Sequence, residues 1–202
     1  MQYPPAIKKL ITLLSNLPSV GPKTAERYAL FLLRQSPDFL NNLNLTLKEL
    51  QSSVVYCSKC FCLSATNPCS ICADTKRYHN VICVVAETKD MIAIESSQAY
   101  FGVYHVLGGT ISTINSRGPD KLQINPLLNR VSPPAGGGQI QEIVLALNPD
   151  LEGESTCLYL KNLLAGTNVK ISRLARGLPN GASLDYADEL TIAHALKFRN
   201  KI

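Results

Sequence analysis

The stretch EIVLALNPDLEGES, residues 142–155, joins an apolar run to a cluster of acids. Residues 142–147 contain the apolar run 143–147, which is typical of a strand that is buried on both faces of a sheet. A loop that carries Asp150, Glu152 and Glu154 is predicted to follow this strand. Because α/β proteins bind ligands at the carboxyl ends of their strands, the stretch predicts an α/β fold and directs attention to these acids.

A further acid is predicted at the same edge of the sheet. The apolar run VICVVA, residues 81–86, is followed directly by Glu87, and in a parallel sheet both carboxyl ends face one crevice. A glutamate here and a later Asp-x-Asp pair resemble the Toprim domain of topoisomerases, primases and some small nucleases. In that domain the glutamate serves as acid or base and the two aspartates hold magnesium.

The resemblance is incomplete at the magnesium ligands. The pair consists of Asn148 and Asp150, so a neutral amide stands where the first aspartate is expected. Mg²⁺ prefers carboxylate ligands, and Glu152 or Glu154 would replace the missing one only if the loop folded inward. The sequence therefore gives poor support for Mg²⁺ at Glu87, Asp150 and Glu152, and we predict no catalytic residue.

Apolar runs and amphipathic stretches alternate along the second part of the chain. This alternation predicts a parallel sheet with helices on both faces. The glycine-rich stretch PPAGGG, residues 133–138, is predicted to be flexible. Predicted strands lie at 81–86, 102–109, 142–147 and 169–175, and predicted helices at 88–98, 126–131, 154–165 and 185–198.

Three short helices are predicted in the N-terminal part of the chain. Apolar residues within 7–14 follow the spacing of an amphipathic helix, and Pro22 is placed as the first residue of a second helix. A third helix is predicted within residues 39–53, where Thr46 and Glu49 have the spacing of a capping box.

The segment LPSVGPKTAERYALFLL, residues 17–33, resembles a helix-hairpin-helix motif. In that motif the backbone N–H groups of the hairpin bind a DNA phosphate without reading bases. Lys23 and Arg27 are four residues apart, so they share a helix face and can extend this contact. Ser19 stands where the motif has a glycine, and a serine with positive φ would be strained. An ordinary pair of helices with a Pro-Gly turn remains the alternative.

Four of the seven cysteines have the spacing C-x2-C-x8-C-x2-C: Cys57, Cys60, Cys69 and Cys72. Two such pairs complete a tetrahedral four-thiolate site that leaves no open position, so we predict one structural Zn²⁺ per chain. Four unrelated buried thiols are the alternative interpretation. Cys62 breaks the spacing of the pairs. Cys83 is predicted to pack as a small apolar residue inside a strand, and Cys157 is predicted to belong to the core. The three histidines are isolated in sequence and are predicted to be packing or surface residues.

The charge of the chain is unevenly distributed. The formal net charge is +5, and residues 1–80 hold nine lysines and arginines against four acids, so the whole excess lies there. A polyanionic partner should therefore meet this part first, although a solvated basic surface would have the same composition. No apolar run reaches the ~18 residues of a membrane span, and no cleavage site for a signal peptide is evident. We predict a cytoplasmic protein.

The hairpin, the four cysteines and the acidic edge occur in a specific order. Together with GPKTAERYA (21–29), GPD (118–120), the pattern NP-x-x-EGE (148–154) and GASLDYADELTIAHAL (181–196), they resemble the RecR family of bacterial recombination mediators. The resemblance covers almost the full chain. It implies an α/β multidomain fold with a helix-hairpin-helix region (1–56), a four-cysteine zinc finger (57–72), a Toprim domain with a parallel sheet (80–175) and a C-terminal helical segment (176–202).

The resemblance also implies a function. Members of this family are non-enzymatic DNA-binding proteins that form ring-shaped oligomers, here expected to be a tetramer, around double-stranded or gapped DNA. Homologues of RecO and RecF are the implied partners in loading recombinase at gaps and breaks. Lys23 and Arg27 would face the hole of the ring. The segment LDYADELT (184–191) resembles the family's Walker-B-like element, but no phosphate-binding loop motif accompanies it.

Two other functions remain open at this point. A small magnesium-dependent Toprim nuclease would require Glu87 for cleavage, and Asn148 argues against it. A zinc-stabilised interaction module with incidental basic charge would bind DNA without depending on Lys23 or Arg27.

Overall fold

A computed structural model describes residues 3–131 and 139–199 of the chain. The predicted flexible stretch PPAGGG, residues 133–138, lies outside the described residues. The chain divides into two compact units, Met1–Val54 and Val55–Ile202. No helix in the described part of the chain is both long and apolar enough to cross a membrane.

The first unit consists of three helices: α1 (Pro5–Ser15), α2 (Pro22–Leu33) and α3 (Pro37–Ser53). Helices α1 and α2 pack against each other, and α2 begins at Pro22 as predicted. The predicted capping box at Thr46 and Glu49 is wrong, because both residues lie inside α3. Ser36 caps this helix instead by accepting a hydrogen bond from the Phe39 N–H.

The second unit is built on a four-stranded parallel sheet. Its strands are β3 (Tyr78–Val85), β4 (Gly102–Val106), β5 (Glu142–Leu145) and β6 (Lys170–Arg173), in the order β4-β3-β5-β6. The order reverses between β3 and β5, so the carboxyl ends of these two strands border the crevice where such sheets bind ligands. An antiparallel pair, β1 (Val55–Tyr56) and β2 (Leu63–Ser64), precedes the sheet.

Both faces of the sheet are covered, as predicted. The helices of this unit are α4 (Ser70–Ala73), α5 (Thr88–Ser96), α6 (Ile124–Val131), α7 (Leu151–Leu164) and α8 (Glu189–Lys197). Ile82 and Val84 belong to one apolar cluster with residues of α6 and α7. Cys83 and Val85 belong to a second cluster, with Met91 of α5 and the cysteines that precede the sheet. This alternation explains the continuous apolar run in β3.

The acids after β5 lie on a helix rather than in a loop. Asp150 is the N-cap residue of α7, and its carboxylate accepts a hydrogen bond of 2.7 Å from the Gly153 N–H. A Cβ at Gly153 would meet the Asn148 carbonyl oxygen at 2.0 Å, so only glycine allows this close turn. Glu152 and Glu154 occupy the first turn, where acids are favourable near the positive end of the helix dipole.

Candidate metal centre and nucleic-acid interface

The four predicted zinc ligands converge in the fold. The sulfur atoms of Cys57, Cys60, Cys69 and Cys72 all lie within 4.8 Å of one another, and all four residues are buried. The Sγ atoms of Cys60 and Cys69 are 3.6 Å apart. This separation matches four sulfurs arranged around one tetrahedral ion rather than a disulfide, and all seven cysteines are free.

Backbone N–H groups are directed at two of these sulfurs. The Cys69 N–H points at the Cys57 Sγ at 3.3 Å, and the Cys72 N–H points at the Cys69 Sγ at 3.4 Å. A hydrogen bond from the Cys72 thiol is the main cause that lowers the pKa of Cys60 to about 5. The same hydrogen bond raises the pKa of Cys72, and burial raises that of Cys69. Thiolates are the form that binds metal, so the donor set fits Zn²⁺. Because the protein supplies all four ligands, the zinc is structural.

The remaining cysteines are placed differently. Cys62 is buried beside the centre but is not one of the four converging residues, and burial strongly raises the pKa of its thiol. Cys83 lies inside β3, where burial raises the pKa of its thiol to about 12. Cys157 is half-buried on α7. Cys83 packs in the core and Cys157 packs against it, as predicted, and Cys62 is buried in the same cluster as Cys83.

At the acidic edge, Glu87 acts as a helix cap. It is the N-cap residue of α5, and its backbone N–H donates a 2.9 Å hydrogen bond to the Asp90 carboxylate in a capping box. Its own carboxylate accepts from the backbone of the same turn and lies 2.8 Å from the Lys89 ammonium. The backbone N–H and the side-chain carboxylate of Glu87 therefore both have partners within the first turn of α5.

The acids of α7 also have protein partners. Glu152 accepts hydrogen bonds from the hydroxyls of Ser112 and Thr110 at 2.5 and 2.8 Å, and the bond from Ser112 is the main cause that lowers its pKa. Glu154 forms ion pairs with Arg173, at 3.2 Å, and with Arg176. In the described residues, the four cysteines form the one group of three or more His, Cys, Asp or Glu side chains suited to an ion. Magnesium at this edge stays a hypothesis that these contacts do not favour.

Helix α2 presents a basic face in the first unit. Lys23 and Arg27 are exposed, and they line a shallow groove together with Arg34 and the apolar side chains of Leu30 and Phe31. Within the part of the chain that the structure describes, no acid lies within 4 Å of these three cations. Sequence reasoning missed Arg34, although its position seven residues after Arg27 places it on the same helix face.

The turn before α2 leaves backbone donors available. Gly21 is the N-cap residue and offers no side-chain cap, and Pro22 follows it at the first helical position. The N–H groups of Lys23 and Thr24 therefore belong to the orphan donors of a helix start. Ser19 adopts φ of +62°, the left-handed conformation that was expected to strain a serine.

One acid borders the same groove. Glu26 lies between Lys23 and Arg27 in sequence and lines the groove with them. Its carboxylate accepts a 2.6 Å hydrogen bond from the Tyr3 hydroxyl. Glu26 is thus held by a neutral partner, and the cations stay available to an anion from outside the unit.

Comparisons with known families match nearly the whole chain. Residues 7–50 match the helix-hairpin-helix region of RecR, residues 54–74 its four-cysteine zinc finger domain, and residues 177–200 its C-terminal region. Residues 80–175 match the Toprim domain. The order of these matches is the order of the sites described above.

Full-length relatives decide the assignment. The recombination protein RecR of Moorella thermoacetica is 44% identical over 202 residues, which is 100% of each chain. The chain belongs to the RecR family. The RecR protein of Prochlorococcus marinus is 45% identical over 99% of this chain and 98% of the relative. The RecR protein of Synechocystis is 46% identical over 99% of this chain and 84% of the relative.

The C-terminal segment of the chain is organised around another helix cap. Asp188 accepts hydrogen bonds from both the backbone N–H and the hydroxyl of Thr191, at 2.9 and 2.7 Å, and so begins α8. These two bonds are the main causes that lower the pKa of Asp188. Tyr186 and Leu190 are 89% and 66% exposed, so this segment presents apolar side chains at its surface.

Proposed function

We propose that this chain is a non-enzymatic recombination mediator that binds double-stranded and gapped DNA in recombinational repair. It acts in the cytoplasm with homologues of RecO and RecF to load recombinase at gaps and breaks. The zinc centre stabilises the fold and has no catalytic role. Relatives that match the chain over its full length carry the name recombination protein, which supports the repair role.

The basic face of α2 is the observation that carries the proposal. Lys23, Arg27 and Arg34 form a stripe of cations without ion-pair partners among the described residues, and the helix starts with orphan N–H donors at the same end as Lys23. Phosphate groups are favourable at such a helix start. Since backbone contacts position a protein on DNA without reading its sequence, this face suits a mediator that acts at any gap.

The apolar surface of the first unit supports self-association into a ring-shaped tetramer. Ala25 and Ala29 are the buried hydrophobic residues in the described part of this unit, whereas Leu33 and Leu47 are 64% and 57% exposed. Both leucines line an apolar groove between α1, α2 and α3. Patches of this kind on a small unit mark protein–protein contact sites, and we assign this one to a second copy of the chain.

The crevice at the carboxyl ends of β3 and β5 serves partner docking in this proposal. Glu87 and Asp150 cap helices, Glu152 accepts hydrogen bonds from two hydroxyls, and Glu154 pairs with arginines. The side chain of Asn148 carries no charge. A magnesium-dependent nuclease is the competing function, and it would have to break these contacts to assemble a two-carboxylate site.

One incubation separates the two functions. The full-length protein is mixed with end-labelled gapped duplex and Mg²⁺, and the bound fraction and the strand length are read from the same samples. We expect intact strands and binding that weakens as salt rises, because phosphate contacts release counterions. Glu87→Ala should retain this binding.

Glu142→Ala is the matched control, since Glu142 lies at the opposite end of β5 and pairs with Lys170 at 3.2 Å. Strands that are shortened by the parent protein and by Glu142→Ala, but not by Glu87→Ala, would establish the nuclease and refute the mediator.

A further inference from the structure

Arg130 of α6 occupies an unusual position for a guanidinium. Its side chain is largely enclosed, and its Nη1 donates a 2.7 Å hydrogen bond to the Tyr104 carbonyl and lies 3.3 Å from the His105 Nδ1. Both acceptors belong to β4, the strand next to residues 57–72, which carry the four metal-binding cysteines. Burial lowers the pKa of Arg130, because an enclosed charge loses the stabilisation that water provides.

His105 cannot neutralise this charge. It is fully buried, and its Nε2 lies 2.6 Å from the Gln123 carbonyl. A carbonyl only accepts, so Nε2 carries the hydrogen and Nδ1 offers a lone pair to Arg130. Burial lowers the pKa of His105 to about 4, and the ring is therefore a neutral acceptor.

No carboxylate among the described residues lies within 4 Å of Arg130. When they bind an ion as thiolates, the metal-binding cysteines supply negative charge on this side of α6. Cys72 and Arg130 line the same cavity. A buried charge needs a partner, and the metal-binding sulfurs are the anionic groups that the fold places on this side of α6.

Residues 57–72, which carry the four cysteines, are also bonded to β4, the strand that accepts the hydrogen bond from Arg130. The Val106 N–H donates a 2.8 Å hydrogen bond to the Cys60 carbonyl. The ring of Phe61, which follows Cys60, packs edge-on against His105 with centroids 5.4 Å apart. Arg130 and the segment that carries the sulfurs are therefore both bonded to β4.

We propose that Arg130 is the counter-charge of the zinc centre and positions the thiolate cluster against the parallel sheet. Four thiolates around one Zn²⁺ carry a net negative charge, and a cation on the sheet side of the centre offsets it. Arg130 contributes through electrostatics and orientation and is not a metal ligand. Without zinc, the four cysteines do not form this anionic centre, and the charge of Arg130 lacks its partner.

Zinc affinity of the full-length protein tests the proposal. Competition with a chromogenic chelator measures the affinity of the parent protein, of Arg130→Met and of Arg130→Lys. Groups just outside a metal's ligands typically change affinity by ~10–100-fold, and we expect Arg130→Met to weaken zinc binding within that range. Arg130→Lys keeps the charge and should bind zinc close to the parent value. Arg173→Met is the matched control, because Arg173 pairs with Glu154, and it should bind like the parent.

A second readout separates a charge partner from a packing residue. Denaturant unfolding is measured with and without zinc, and Arg130→Met should lower the midpoint of the zinc-loaded protein but not that of the zinc-free protein. Equal losses in both forms would show a purely structural role and overturn the proposal. If Arg130→Met does not fold, Arg130→Lys still decides the question, because zinc binding weakened tenfold or more in that variant would show that the charge is not what matters.

Discussion

His105 shows how one buried side chain links stability to pH. The ring is neutral in the folded protein, where burial lowers its pKa from 6.5 to about 4. Between these two values the unfolded chain binds a proton that the folded protein does not. The free energy of unfolding therefore falls as the pH falls through this window, and it rises as the pH rises.

A pH series of denaturant unfolding tests this effect. Between pH 7 and pH 5 we expect the parent protein to lose about 2 kcal/mol more than His105→Gln, which has no ring to protonate. The comparison stays at or above pH 5, so that both proteins retain their zinc thiolates to the same extent. His79→Gln removes an exposed histidine and should keep the parent's pH dependence. Identical pH profiles for the parent and His105→Gln would contradict a neutral buried ring.

At the scale of elements, the hairpin between α1 and α2 carries a conformational cost. Ser19 holds φ of +62°, a region where a side chain costs about 1–2 kcal/mol relative to glycine. The helix-hairpin-helix motif has a glycine at this position. The serine is accommodated because the Val20 N–H donates a 3.1 Å hydrogen bond to the Leu17 carbonyl and closes the turn.

Replacing Ser19 by glycine should stabilise the first unit. The relief of strain exceeds the entropy that glycine adds to the unfolded chain, so Ser19→Gly should raise the free energy of unfolding by about 1 kcal/mol. Hydrogen exchange of the α1 and α2 amides measures it. Ser15→Gly, inside α1, is the control and should lower stability by about 0.5–1 kcal/mol. Loss of protection in both variants would show that the turn is unstrained.

Periodicity predicted the elements better than it predicted their ends. The strands and most helices follow the apolar runs, because burial on one or both faces imposes that pattern. Helix α3 begins at Pro37, two residues before the predicted range, because Pro37 and Asp38 are not part of its apolar pattern. Helix α7 begins at Leu151, three residues before the predicted start, and its first turn depends on the close approach of Gly153 to the Asn148 carbonyl.

The candidate sites were predictable to different degrees. Cysteine spacing predicts the zinc ligands, since two C-x-x-C pairs supply the four thiolates of a tetrahedral site, and the fold brings the four sulfurs together. The contacts of Glu152 with Ser112 and Thr110 link positions about forty residues apart. Local sequence patterns do not predict contacts at such a separation. The same holds for Arg130, which reaches the metal centre from another element.

At the scale of the whole molecule, positive charge is concentrated towards the N-terminal part of the chain. The excess lies within the first 80 residues, which include the first unit and the zinc centre, while the rest of the second unit holds a sheet that is buried on both faces. The proposed DNA-binding function needs a cationic surface and a stable support. The three cations of α2 are the part of this account on which the DNA-binding function depends.

The salt dependence of DNA binding tests that claim most directly. The affinity of the full-length protein for gapped duplex is measured over a range of salt concentrations for the parent, Lys23→Gln, Arg27→Gln and, as a control on α3, Lys48→Gln. Each lost duplex phosphate contact should reduce the slope of log affinity against log salt by ~0.9. We predict this reduction for Lys23→Gln and Arg27→Gln and the parent slope for Lys48→Gln. Parent slopes in all three variants would place the DNA elsewhere and contradict the account.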